Sequence, residues 1–194
     1  QERKSLMTTN VQEKISAQSQ LERRREFAAT VRKMFKPKLQ DDARAPNLLW
    51  WDQARVALWS TNAFFLGDTD DVAFANVIIR YVRDVLKQPV INGQPRPFET
   101  SALTGLLASH RDKMEGDTRE WAEDTLRQLL PFAMTSDFQF HGYNDNMPVM
   151  FTWTWLYCGS YFGDEKVQKM GRANLLQLRD LLRRRGTVSE YGVN

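Results

Sequence analysis

Apolar residues recur along most of this chain at intervals of three or four positions, and this spacing predicts α-helices rather than β-strands. The clearest example follows position 50. There the first apolar series comprises Trp51, Leu58, Trp59 and Phe65, and the second comprises Val72, Ile79, Val82 and Leu86. Gly67 separates the two series and is followed by Asp68 and Thr69, either of which can cap a new helix. The segment therefore predicts a helical hairpin.

A second hairpin is predicted in the middle of the chain. A loop rich in proline and glycine precedes a helix expected over Ser101–His110, with His110 on its apolar face. Gly116 ends the following turn, after which Asp117 or Thr118 can cap the partner helix. Apolar positions then continue at Trp121, Leu126, Leu129 and Leu130.

A third hairpin repeats the first. Its first helix is expected to start at Asn146, a capping residue type, and it returns toward Arg185. A shift of 96 positions pairs Trp155 with Trp59, Phe162 with Leu66, Gly163-Asp164 with Gly67-Asp68, and Arg179-Asp180 with Arg83-Asp84. This corresponds to about 48 residues per hairpin, a period typical of α-solenoids and of hairpins closed into a ring. We therefore expect an all-α fold of repeated antiparallel hairpins.

The N-terminal part differs from the rest. Charged residues are frequent between Val11 and Phe35 and apolar ones are sparse, so a charged surface helix is expected. Pro37 and Pro46 should break it, because proline lacks the amide hydrogen and clashes with the preceding turn. We accordingly divide the chain into residues 1–46, a helix and linker, and residues 47–194, three hairpins of one domain.

Composition narrows the possible functions. Hydrophobic residues make up 42% of the 194 residues, which suffices for the core of one domain. The net charge is only +3, so nucleic acid is not an expected partner. No apolar stretch is long enough for a membrane span, and a membrane is not an expected partner either. Because the chain starts at Gln1 rather than Met, we expect a processed or trimmed chain, which is compatible with a secreted or periplasmic location.

Several kinds of catalytic site are excluded by residue type and spacing. His110 and His141 are the only histidines, and neither has a second ligand at a typical interval, so no metal is expected. Cys158 lies in an apolar run, which predicts a buried, inert thiol. Neither a serine-nucleophile elbow nor a glycine-rich phosphate loop is present, and no cofactor is expected.

The remaining chemistry is concentrated in the stretch HGYNDN, directly before the third hairpin. His141, Tyr143 and Asp145 are candidate catalytic residues, and Asn144 and Asn146 are candidate substrate-binding residues. Loops at helix ends often carry ligand contacts, because the helices hold them in place. The alternative is structural: Asp145 or Asn146 caps the helix, and His141 and Tyr143 cover its end.

A second polar loop, SEYGVN, contains one carboxylate, Glu190. An acidic pair from two loops is the arrangement that glycoside cleavage uses, so Glu190 is the fourth catalytic candidate; a solvated loop glutamate is the alternative. Tyr191 beside it, and Trp50 and Trp153 near helix starts, are candidates for substrate contact. Most other aromatic side chains, Trp59 among them, are expected to pack in the core.

Three segments, HGYNDNMPVM, YFGDEKVQKMGRANLLQLRDLLRRRG and GTVSEY, together resemble the six-hairpin glycosidase-like superfamily. Its members carry an Asn-Asp-Asn-x-Pro stretch, a Gly-Asp hairpin turn and a Ser-Glu-Tyr-Asn-Ser-Pro-Thr-Tyr loop. The resemblance stops at Tyr191, where this chain continues with Gly192-Val193-Asn194. It implies an (α/α)6 toroid, of which three hairpins form about half. Self-association or a missing C-terminal half would complete the ring.

The resemblance also implies a carbohydrate substrate, bound in the central cleft of the toroid. For hydrolysis of a glycosidic bond, Asp145 and Glu190 would supply the two carboxylates. Hydrolysis of a polysaccharide or oligosaccharide is the function that we expect. A non-enzymatic helical-repeat module that binds protein is the competing interpretation.

Elimination is the other reaction that the resemblance allows. A polysaccharide lyase removes the proton next to a uronate carboxylate, and Tyr143 or His141 would take that proton. Asn144 or Asn146 would neutralise the carboxylate, and Arg111 or other basic residues could hold it. The residues alone do not choose between the two reactions.

Overall fold

The structure, a computed structural model, describes residues 17–44, 51–85, 90–91, 94–95, 97–133 and 146–186. These residues form the helices α1 (Ala17–Arg44), α2 (Trp51–Phe64), α3 (Thr69–Val85), α4 (Pro97–His110), α5 (Gly116–Ala133), α6 (Asn146–Tyr161) and α7 (Glu165–Arg185). A 3-10 turn, Arg111–Lys113, joins α4 to α5. The strands β1 (Val90–Ile91) and β2 (Gln94–Pro95) pair antiparallel in the loop before α4. The prediction of an all-α fold is confirmed, with this two-residue ladder as a local addition.

The core lies where α2, α3, α4 and α6 meet. Its large fully buried side chains include Leu58, Phe64, Phe65, Ile78, Ile79, Leu103, Leu106, Leu107, Phe151 and Trp155. A polar contact also joins α4 to α6, because the hydroxyl of Thr104 lies 3.2 Å from that of Thr154. Burial of this apolar surface is the main favourable contribution to packing of the four helices. None of the described helices has both the length and the apolar character needed to cross a membrane.

The turns before α3 and α7 share a capping hydrogen bond. In the first turn, Asp68 Oδ1 accepts from the backbone N–H of Asp71 at 2.9 Å. In the second, Asp164 Oδ1 accepts from the backbone N–H of Val167 at 3.0 Å. Each bond satisfies one of the amide groups left unpaired at a helix start. Both donors and both acceptors are 96 positions apart, so the internal match of the sequence extends to the caps.

The same two turns differ at their glycines. Gly163 has a left-handed backbone with φ of 70°, whereas Gly67 does not. The second turn is also shorter, since α6 extends to Tyr161 while α2 already ends at Phe64. The turns therefore agree in position and capping and differ in backbone conformation.

α6 and α7 pack against each other closely and antiparallel. A Cβ atom added to Gly159 would lie 2.5 Å from the backbone nitrogen of Gln168. One added to Gly171 would lie 2.8 Å from the backbone nitrogen of Leu156. Gly159 of α6 meets Gln168 of α7, whereas the earlier residue Leu156 of α6 meets the later residue Gly171 of α7. The two helices therefore run antiparallel. The two glycines are required because any side chain there would strike the partner backbone.

α1 continues through the position where a break was expected. It runs from Ala17 to Arg44 with Pro37 inside it, so the prediction that Pro37 ends the helix is wrong. Tertiary contacts hold both sides of the proline: Lys36 Nζ lies 2.6 Å from Asp71 Oδ1 of α3, and Leu39 is buried. These contacts outweigh the local cost of an interior proline, about 3 kcal/mol. The division at residue 46 stays a prediction, and α1 packs directly on α2.

The two helices that were predicted to form the second hairpin both begin earlier than expected. α4 starts at Pro97 rather than Ser101, because proline is favoured at a first helical position. α5 starts at Gly116, which was expected to end the turn. Asp117 and Thr118 consequently lie in the first turn of α5, and the expected cap at either residue is wrong.

A buried amide of α3, Asn76, fixes the start of α5 instead. Its Oδ1 accepts from the backbone N–H of Glu115 at 2.9 Å and from the hydroxyl of Thr118 at 2.8 Å. Its Nδ2 donates to the carbonyls of Val72 at 3.1 Å and Lys113 at 3.3 Å. Each hydrogen of the amide is donated, and its oxygen accepts twice, so the side chain can be buried without an unsatisfied polar atom.

Trp59 and Trp155 correspond in sequence but not in environment. Trp155 has no exposed surface, and its indole Nε1 has no acceptor among the described residues. Trp59 is 44% exposed and contacts Phe98 edge to face, with 5.9 Å between ring centroids. The expectation that Trp59 packs in the core is therefore wrong. Helical spacing identifies the face of α2 that carries Trp59, but the neighbouring helices cover that face only in part.

Candidate functional site

Most residues that the sequence nominates lie outside the described residues. They are the catalytic candidates His141, Tyr143, Asp145 and Glu190 and the binding candidates Trp50, Asn144 and Tyr191. Whether they converge on one pocket therefore stays a prediction. Asn146 is the first residue of α6, as expected, and only its backbone is described. Trp153 is described in full, and its surroundings define the candidate site.

Trp153 begins a stripe of aromatic side chains along α6. Tyr157 and Tyr161 follow at intervals of four residues, which places the three rings on one helix face. The ring centroids of Trp153 and Tyr157 are 5.8 Å apart, and those of Tyr157 and Tyr161 are 5.3 Å apart. Trp153 is 43% exposed. These three residues, the aromatic stripe, present flat apolar rings whose Trp153 end is open to solvent.

Charged side chains from α5 and the 3-10 turn border the other end of the aromatic stripe. The hydroxyl of Tyr161 donates to Glu123 Oε1 at 2.5 Å. Arg111 places its guanidinium carbon 5.4 Å from the Tyr161 ring centroid and its Nε 4.0 Å from the same Glu123 oxygen. Next to Tyr161, Phe162 carries Arg127 over its ring at 4.3 Å. One carboxylate and two guanidinium groups therefore lie beside the rings.

Burial moves the pKa of both tyrosines further above pH 7. It raises the pKa of Tyr157 to about 12, and the neighbouring Tyr161 adds to the effect. The pKa of Tyr161 is also raised, first by burial and then by the hydrogen bond to Glu123. Both phenols are neutral at pH 7. They can donate or accept hydrogen bonds, but neither is a ready proton-abstracting base.

The guanidinium group of Arg111 can still bind a ligand. The Arg111 side chain is 50% exposed, and its 4.0 Å contact with Glu123 is too long for a hydrogen bond. A planar guanidinium group with open donors binds a carboxylate or hydroxyl oxygens, and flat rings bind the apolar face of a cyclic ligand. The arrangement therefore suits a ring-shaped polar molecule that has one apolar face.

Cys158 is not a reactive nucleophile, and the part of the chain that the structure describes holds no cluster of metal-ligand side chains. Cys158 is buried, and burial raises the pKa of its thiol to about 12. The nucleophilic thiolate is scarce at pH 7, and the prediction of a buried, inert thiol is confirmed. Within the described ranges, no three His, Cys, Asp or Glu side chains are grouped as metal ligands.

Sequence reasoning nominated one ring of the aromatic stripe and missed its partners. The interval of four residues from Trp153 to Tyr157 and Tyr161 was a usable signal, because such residues adjoin on a helix. The approach of Glu123 depends on how α5 packs against α6, which residue spacing does not reveal. Arg111, named as a residue that could hold a uronate, does lie beside the stripe.

Comparison of the chain with protein-family models, with curated proteins and with solved structures finds no match.

Proposed function

We propose that this protein is a carbohydrate-active enzyme that hydrolyses glycosidic bonds in a polysaccharide or oligosaccharide. The aromatic stripe is the observation that supports this most directly. Sugar rings have apolar faces and polar edges, and they bind where aromatic rings adjoin hydrogen-bonding groups. Trp153 supplies the open ring, Tyr161 and Glu123 supply polar groups, and Arg111 supplies a positive charge.

The position of the aromatic stripe in the chain adds support. α6 begins at Asn146, so the stretch HGYNDN leads directly into the helix that carries Trp153. In the proposal, Asp145 and Glu190 are the acid and the base or nucleophile, and the stripe holds the sugar chain beside them. Arg111 would favour a substrate that contains an anionic sugar such as a uronate.

We also propose that the hairpins are arranged as in an (α/α)6 toroid, of which this chain forms about half. Support comes from the shared caps at Asp68 and Asp164, which lie 96 positions apart. The antiparallel contact of α6 with α7 through Gly159 and Gly171 is compatible with hairpins as the building unit. A ring would place the ends of successive hairpins around one central cleft.

The function is tested by measuring new reducing ends released from a panel of neutral and uronate-containing glycans. Asp145→Asn and Glu190→Gln keep the side-chain shape but remove the ionisable group. Each should lower the turnover number by several orders of magnitude while circular dichroism stays unchanged. Asp180→Asn is the matched control, because Asp180 is an exposed carboxylate of α7 paired with Arg179 at 3.0 Å. It should retain full activity.

Two outcomes would redirect or end the proposal. A product with an unsaturated uronate, detected by ultraviolet absorbance, would identify elimination and shift the catalytic roles to Tyr143 and His141. Unchanged activity in both Asp145→Asn and Glu190→Gln would remove this carboxylate pair as the catalytic machinery.

A further inference from the structure

A groove away from the aromatic stripe lies between α1, α2 and the C-terminal end of α4. Its volume is about 160 Å³, and its walls include Arg24, Phe27, Val31, Trp59, Leu66 and His110; we call it the His110 groove. No acidic side chain lines it within the described part of the chain. A cavity of about 150 Å³ with apolar walls is large enough for benzene, so the groove has room for one aromatic ring.

His110 is the buried polar side chain that lines this groove. It is only 6% exposed, and its ring stacks on Phe65 with 5.2 Å between centroids. Its side chain does not cap the 3-10 turn. Burial, followed by the positive charges of Lys113 and Arg24, lowers the pKa of His110 to about 4. At pH 7 it offers one N–H donor and one acceptor nitrogen.

Two cationic side chains, Lys113 and Arg24, lie close enough to His110 to affect its charge. Lys113 already donates to the carbonyl of Phe65 at 2.5 Å. Arg24 lines the groove and has no ion pair within the described residues, so its guanidinium group is available to an anion. The combination of one open guanidinium group, apolar walls and a buried neutral imidazole matches a ligand with an acidic end and an apolar ring.

We infer that the His110 groove binds a small aromatic carboxylate. The ring lies between Phe27 and Trp59 and against His110, and the carboxylate pairs with Arg24. A sugar fits this groove less well, because its hydroxyls would meet mainly apolar walls. The inference is independent of the proposed glycosidase activity, which concerns α6 and the loops before and after the third hairpin.

Isothermal titration calorimetry of the full chain with sodium benzoate tests the inference. Saturable binding with a Kd of about 1 mM or tighter is expected. Arg24→Gln should weaken it by about tenfold or more, and Trp59→Ala should also weaken it. Arg25→Gln is the matched control, since Arg25 is the next residue on α1 but does not line the groove. It should change the Kd by less than about twofold.

Benzamide tests the role of the negative charge, because it keeps the ring and removes the carboxylate. It should bind about tenfold more weakly than benzoate. The inference is overturned if benzoate shows no saturable binding, if benzamide binds as tightly, or if Arg25→Gln weakens binding as much as Arg24→Gln. Binding that survives Trp59→Ala unchanged would also overturn it, by placing benzoate elsewhere.

Discussion

Gly67 has no side chain because Asp71 occupies the space where a Cβ atom would lie. An added Cβ would be 2.2 Å from Asp71 Oδ2, far inside the contact distance. The carboxylate cannot easily move away, because Arg32 Nε and Lys36 Nζ hold it at 3.0 and 2.6 Å. The close packing of the Asp71 ion pairs therefore requires a glycine at position 67, although the sequence suggested only that Gly67 ends a helix.

Alanine at two glycines should have opposite effects on stability. Gly67→Ala should lower the free energy of unfolding by about 1 to 3 kcal/mol, because the new Cβ overlaps Asp71. Gly105→Ala should raise it by about 0.5 to 1 kcal/mol, because Gly105 is inside α4 and a Cβ there has no atom within 4 Å. Urea denaturation of both variants measures the two values. A loss of stability in Gly105→Ala would contradict the packing described for α4.

His110 should make the protein less stable in mild acid. Its ordinary pKa of 6.5 falls to about 4 in the folded protein. The unfolded chain therefore binds a proton that the folded one rejects, and stability is lost as the pH falls from about 6.5 toward 4. Between pH 7 and 4.5 this loss should reach about 2 kcal/mol. Urea denaturation of the wild type and His110→Gln at both pH values measures it, and an equal loss in the two proteins would contradict the assignment.

At the scale of elements, the sequence predicts what is decided locally. A cap of α3 at Asp68 or Thr69 was predicted, and Asp68 is the residue that bonds to a backbone amide three residues on. Asp164, 96 positions later, was predicted only as part of a turn and makes the same bond at the start of α7. The continuation of α1 through Pro37 was not predicted, because the contacts that stabilise α1 come from α3 and the core. The exposure of Trp59 likewise depends on how much of α2 its neighbours cover, which no residue spacing reveals.

The same limit applies to the candidate site. Trp153 could be nominated from its place near the start of a helix, and the interval to Tyr157 and Tyr161 was readable. Glu123 and Arg111 join the aromatic stripe only when α5 and the 3-10 turn pack beside α6. Tertiary packing therefore supplies the charged half of the site, and local sequence supplies the aromatic half.

Asn76 connects α3 to the start of α5, and its loss should be costly. Asn76→Leu removes the acceptor of the backbone N–H of Glu115, leaves the buried hydroxyl of Thr118 only the carbonyl of Glu115 at 2.9 Å, and removes the donor to the carbonyls of Val72 and Lys113. The free energy of unfolding should fall by about 2 to 4 kcal/mol. Asn62→Leu is the control, since the amide of Asn62 makes a single long contact of 3.4 Å with the Trp59 carbonyl. An equal effect of the two substitutions in urea denaturation would contradict the role given to Asn76.

On the scale of the whole molecule, two surfaces with aromatic side chains use different helices. The aromatic stripe belongs to α6 and is bordered by α5 and the 3-10 turn, whereas the His110 groove involves α1, α2 and α4. Their open tryptophans, Trp153 and Trp59, are exposed by 43% and 44%. Trp153→Ala and Trp59→Ala are therefore a matched pair of variants, because each removes one similarly exposed tryptophan from one of the two surfaces.

Glycan affinity of Trp153→Ala and Trp59→Ala tests the carbohydrate-binding claim most directly. Calorimetric titration should use a glycan that the wild type binds. Trp153→Ala should weaken binding by about tenfold, equivalent to about 1.4 kcal/mol, and Trp59→Ala should leave the Kd unchanged. Wild-type affinity in Trp153→Ala, or an equal loss in both variants, would contradict the claim that carbohydrate binds along the aromatic stripe of α6.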